Sequence, residues 1–190
     1  MDRNRLFVCL LLGSLMLSSF KQDVNAIDAF KNKATSFIKR YETDFHLTAE
    51  TVTLQGMFEK YTAADWAVTA SYQSKKPYQT EHSKPFHKRL FFSFYYYEDP
   101  AKVKLCLDTI CKCFPPECAA ITKDVNMTSL NATPAVYIFN KNKIITCHVN
   151  CGEETEKWPE IEKEVLKAFA EKGSVCFTTE CGGPLKWSKH

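Results

Sequence analysis

Nine cysteines in a chain of 190 residues are the first place to look for chemistry. Cys9 stands in the amino-terminal apolar run, and the other eight are Cys106, Cys111, Cys113, Cys118, Cys147, Cys151, Cys176 and Cys181. An even number of cysteines in an exported chain forms a disulfide framework of up to four bridges, each contributing ~2–4 kcal/mol by restricting the unfolded ensemble. Eight cysteines allow roughly a hundred connectivities, and spacing removes only some of them. On a strand, Cys111 and Cys113 point to one face and are poor partners for each other. Cys106 with Cys111, Cys147 with Cys151 and Cys176 with Cys181 could each close a small loop. The competing chemistry is a tetrahedral zinc site on Cys106-x4-Cys111-x-Cys113-x4-Cys118. Zinc knuckles use Cys-x2-Cys pairs, often with His, and belong mainly to reducing compartments, so disulfides are predicted and neither a metal nor a cofactor is.

Other catalytic patterns are missing. The chain has no Gly-x-Ser-x-Gly, no His-Glu-x-x-His and no phosphate loop. His46, His82, His87, His148 and His190 are scattered without an evident acidic partner, and Asp44, Asp65, Asp99 and Asp108 lack the spacing of a carboxylate pair. No catalytic residue and no enzyme activity is therefore predicted. Asn126-Met127-Thr128 and Asn131-Ala132-Thr133 are N-glycosylation sequons in a polar stretch, and Pro134 directly after the second makes Asn131 the weaker acceptor.

The compartment follows from the amino terminus. Arg3 and Arg5 precede the apolar run from Leu6 to Leu17, and Val24-Asn25-Ala26 supplies small residues for cleavage. This is the pattern of a secretory signal peptide over residues 1–26. The run is shorter than the ~20 apolar residues of a membrane span, and no later stretch reaches that length, so no transmembrane anchor is expected. A net charge of +3 is too small to argue for nucleic acid. The 45% hydrophobic and 13% aromatic content excludes collagen-like and disordered classes and supplies bulk for a packed core.

The positioning elements can be read from periodicity. Ile27, Phe30, Ala34, Phe37, Ile38, Tyr41 and Phe45 recur at three- and four-residue steps, the stripe of an amphipathic helix. Val52, Leu54 and Phe58, and then Trp66, Val68, Ala70 and Tyr72, alternate as strands do. Residues 73–89 are polar, with Pro77 and Pro85, and read as an exposed loop or a poorly ordered edge. Leu90 to Tyr97 is almost wholly aromatic and reads as a buried strand, because large bare apolar patches are uncommon on soluble proteins; the alternative is an exposed aromatic binding stripe. Residues 135–139 and 143–146 flank Asn140-Lys141-Asn142 as a hairpin. Thr155 to Lys172 reads as a helix with Trp158, Ile161, Val165 and Phe169 on one face, Pro159 in its first turn and Gly173 at its end. The fold class is a small α+β domain with an antiparallel sheet and two amphipathic helices. A signal peptide (1–26), a cysteine-free helix and β-rich segment (27–100) and a cysteine-rich hairpin and helix segment (101–190) divide the chain near Pro100.

Three resemblances qualify this picture. Asn131-Ala132-Thr133-Pro134, followed by a hairpin and a helix, is similar to the carboxy-terminal half of thioredoxin-like domains. Glu98-Asp99-Pro100-Ala101 has no cysteine where their redox pair would stand, so that resemblance implies a redox-inactive relative. Cys151-Gly152-Glu153-Glu154 resembles the Cys-Gly-Glu-Gln thioester site of complement and macroglobulin proteins, but Glu154 lacks the amide leaving group. The run Lys104 to Cys118, with Phe94-Tyr95-Tyr96-Tyr97 upstream, looks like the junction before the netrin-like module of complement components three to five. Residues 37–42 and 51–54 are similar to the start of that family's receptor-binding β-sandwich. The thioester domain is missing and the segment after Cys118 is shorter than a netrin-like module. This resemblance to the complement and alpha-2-macroglobulin superfamily implies a Cys106–Cys111 bridge and a protein-binding surface without enzymatic activity.

Taken as a whole, the residues predict a secreted, glycosylated, non-enzymatic protein that binds an extracellular protein or receptor. Host defence, complement interaction and a venom or salivary secretion are the candidate settings, with a peptidase inhibitor as an alternative. The aromatic strand and the loop at 73–89 are the candidate binding surfaces.

Overall fold

A computed structural model describes residues 26–51, 62–79, 84–113, 133–153, 157–182 and 185–189. The signal segment up to residue 25, the strand predicted around Val52, Leu54 and Phe58, Cys118, and the sequons at Asn126 and Asn131 lie outside the described residues. The chain divides into two compact units between Arg40 and Tyr41. The first carries helix α1 (26–38), on which Phe30, Ala34, Phe37 and Ile38 are buried as their spacing predicts. The predicted stripe ran on through Tyr41 and Phe45. Instead, Lys39–Thr43 tightens into a 3-10 turn and Phe45 opens a strand. Periodicity identifies an apolar face but not the residue at which backbone pairing changes hands.

Among the described residues, the second unit is built on a sheet of seven strands in the order β1-β2-β3-β5-β4-β6-β7. Its strands are β1 (Phe45–Thr51), β2 (Trp66–Ser74), β3 (Arg89–Tyr96), β4 (Ala135–Phe139), β5 (Lys143–His148), β6 (Val175–Thr179) and β7 (Leu185–Lys189). Every neighbouring pair is antiparallel. That corrects the thioredoxin-like alternative, whose crossover helices require parallel strands. The α+β class stands. Strands from both sides of Pro100 share this one sheet, since β3 pairs with β5; Pro100 opens a helix and separates no units.

Two helices cover the sheet. In α2 (Pro100–Cys113), Asp99 caps the first turn by accepting from the Ala101 N–H at 2.9 Å. Val103 and Cys106 then pack on Ala67, Tyr95, Ile144, Phe139 and Phe177. In α3 (Trp158–Phe169), the four predicted residues Trp158, Ile161, Val165 and Phe169 are the buried ones, and Phe94 meets Phe169 at 5.3 Å on the opposite sheet face. Gly173, at φ 90°, supplies the left-handed turn after the helix, a conformation that side-chain-bearing residues avoid. The buried Asn140 side chain donates to the Phe169 carbonyl at 2.9 Å and accepts from the Ser174 hydroxyl, tying the β4–β5 turn to the end of α3. β3 therefore has helices on both faces, which is why, after exposed Arg89, its residues are buried on both faces apart from half-buried Phe91 and do not alternate with polar ones, Ser93 excepted. Among the described residues, no helix is long and apolar enough to cross a membrane.

Candidate functional site

The cysteines are placed differently from the predicted framework. Cys151 bonds to Cys181, joining the turn after β5 to the turn after β6. Cys106, Cys147 and Cys176 are buried thiols, correcting the expectation that all eight would be bridged. The short loops Cys147–Cys151 and Cys176–Cys181 are likewise replaced. Cys147 on β5 pairs with Val136 and Cys176 on β6 pairs with Ile138, so the two flank β4 from opposite sides. Two strand spacings, ~9–10 Å, put them beyond the ~7 Å Cα reach of a disulfide. Cys106 donates to the Tyr97 hydroxyl at 3.8 Å inside the α2 core. It does not make the Cys106–Cys111 bridge that the complement resemblance implied: both belong to α2, where five residues turn the chain through about 140°. Cys113 also lies in α2, on a helix and not on the strand considered for it.

Burial pushes the Cys147 thiol well above its ordinary value and Cys176 up to about 11. It raises Cys106 too, against a smaller opposing effect of the Tyr97 hydrogen bond. All three stay protonated and enclosed, the condition of structural and not reactive cysteines. Among the described residues, no group of three or more His, Cys, Asp or Glu is arranged to hold a metal ion. At the thioester lookalike, the Cys151 sulfur is committed to Cys181, and the Glu153 carboxylate accepts from Arg89 Nη2 at 2.8 Å and Nε at 3.2 Å. Burial alone would raise the Glu153 carboxyl, but hydrogen bonds from Arg89 and Asn150 outweigh it and hold it below the usual range.

Of the two candidate binding surfaces, the aromatic strand is core. Phe92 and Phe94 are fully buried, and Tyr95 and Tyr96 nearly so. The surface that remains is the loop between β2 and β3, and its shape follows from Ser74. The Ser74 amide donates to the Lys88 carbonyl at 2.8 Å, its hydroxyl accepts from the Lys88 N–H at 3.0 Å and donates to the Lys76 carbonyl at 2.9 Å, and His87 Nδ1 donates to its carbonyl at 2.6 Å. Reciprocal backbone bonds between Tyr78 and Phe86, at 2.7 and 2.8 Å, close the next rung.

Beside this base lies a cleft of about 360 Å³, lined by Asp44, Ser74, Lys75, Lys76, Tyr78 and Lys157. The Asp44 carboxylate accepts from Lys157 Nζ at 2.8 Å. Asp44 is held below the usual carboxylate range first by Lys157 and then by the charges of Lys76 and Lys75, while Lys157 is raised in turn. Lys75 Nζ donates to the Glu42 carbonyl at 2.6 Å, and Lys88 lies over the Tyr78 ring, 4.2 Å from its centroid. Three lysines thus converge on a space containing one acidic side chain. The chemistry available is recognition of an anion by point charges, with a half-exposed aromatic wall beside it.

Sequence reading found the loop but missed Asp44 and Lys157. They lie 113 residues apart and carry no local signal, each reading as an ordinary charged surface residue. No protein-family model matches the chain, and neither a curated protein nor a solved structure matches it.

Proposed function

We propose that the protein is a secreted, non-enzymatic binding protein that engages an extracellular macromolecule, in the first instance a protein or receptor, through the lysine-lined cleft beside the β2–β3 loop. The observation that carries this reading is the convergence on one open space of Lys75 and Lys76, from the β2–β3 loop, with Lys157, from the start of α3. Two further features support export: the amino-terminal signal pattern, and a disulfide between two exposed turn cysteines, a bond that persists in oxidising surroundings. The patches that resemble complement components make a host-defence protein the first partner to test.

The test is a comparison of two baits. Mature protein and its K75E/K76E variant are each used to capture partners from extracellular fluid, and the retained proteins are quantified by mass spectrometry. The wild-type bait is expected to retain at least one protein that the variant loses. Equal retention by both baits, or none by the wild type, refutes the reading.

A further inference from the structure

Building on that reading, we infer that Asp44 is a built-in occupant of the cleft's anion position, standing in for a carboxylate on an acidic peptide segment of the partner. The cleft is far larger than one carboxyl group, yet the group it holds is the protein's own carboxylate, bonded to Lys157 at 2.8 Å. Both members of that pair are exposed, with 56% of the Asp44 and 65% of the Lys157 side-chain surface open to solvent. The Asp44 backbone is fixed, since its N–H donates to the Tyr41 carbonyl at 3.1 Å and its carbonyl accepts from Lys75 N–H at 2.9 Å. Only the side chain has to swing aside for an incoming carboxylate to take its place on Lys157, with Lys75 and Lys76 already at the rim.

Charge selects the class of ligand. Three lysines and one aspartate line the cleft, a surplus of two positive charges. One carboxylate of an acidic peptide exchanges with Asp44 on Lys157, and the two surplus positive charges accept carboxylates of neighbouring residues. Tyr78, 39% exposed, gives the residue beside that carboxylate an apolar surface to lie on. Asp44 thereby weakens binding of any anion, and an exposed ion pair of this kind corresponds to a factor of up to about five.

The experiment uses the whole mature protein and a fluorescein-labelled peptide of six glutamates, read by fluorescence polarisation at low salt. D44N is expected to bind the peptide about two- to fivefold more tightly than wild type. K75A/K76A should bind about tenfold more weakly, and high salt should erase both differences. Circular dichroism of each variant checks that the fold is retained. Equal or weaker binding by D44N overturns the inference. Tenfold better competition by a heparin-derived hexasaccharide than by unlabelled hexaglutamate overturns the choice of ligand. If K75E/K76E loses the captured partner while D44N leaves peptide affinity unchanged, this inference fails and the proposed function survives. If the two baits retain the same proteins, the proposed function itself fails.

Discussion

Tyr95 and Tyr78 lie less than twenty residues apart, in adjoining segments, and their fates are opposite: Tyr95 is 3% exposed and Tyr78 is 39% exposed. The strand holding Tyr95 is paired to β2 on one side and β5 on the other, with a helix over each face. Among its described residues, the loop holding Tyr78 has one isolated bridge, and its several lysines stay in water unless they are partnered. Aromatic richness therefore does not mark a binding surface. Backbone pairing on both edges commits an aromatic residue to the core, and sparse pairing beside solvated lysines leaves one exposed.

If that contrast holds, damage to the strand should reduce stability and damage to the loop should affect only recognition. The largest effect is expected from Phe94→Ala. Phe94 is fully buried against Phe169, so truncation should cost about 3–5 kcal/mol in denaturant unfolding. A cost below 1 kcal/mol would mean the strand is not sealed. Next, replacing both Cys151 and Cys181 by Ser opens a loop with a sequence separation of 30, and unfolding free energy should fall by about 3 kcal/mol. Cys106, Cys147 and Cys176 should be alkylated at least about a hundredfold faster in guanidinium than in the native state, as peptide mapping of the labelled sites would show.

A smaller effect is expected from pH. His148 stacks on Phe91 at 4.7 Å, and burial lowers its pKa below 6.5, so the folded state prefers the neutral ring. The unfolded chain takes up this proton first as pH falls, and stability is lost below about pH 6.5 down to the folded value. His148→Gln should remove that component and leave stability flat across the window. The least change in stability is expected from K75A/K76A, about 0.5 kcal/mol or less, even though the proposed recognition places both residues at the cleft. A large stability loss there would erase the distinction between the two regions.

Much of the fold was legible because burial leaves a local period. The four buried residues of α3, the hairpin about Asn140 to Asn142 and the buried character of Leu90 to Tyr97 could all be read directly. The site was legible only in part. A run with Lys75, Lys76 and Tyr78 between two strand patterns announces an exposed basic loop, but nothing in it points to Asp44 or Lys157.

By itself, the amino-acid order determined which segments form helices and strands and which of their faces turn inward, since apolar spacing of two or near 3.6 residues is a property of neighbours in the chain. Tertiary structure alone decided that Cys151 meets Cys181, that Cys147 and Cys176 remain apart across β4, and that Asp44 and Lys157 close one cleft. Those outcomes depend on strand order and on which loop ends come together. Contacts between residues tens to more than a hundred positions apart leave no period for the chain to display.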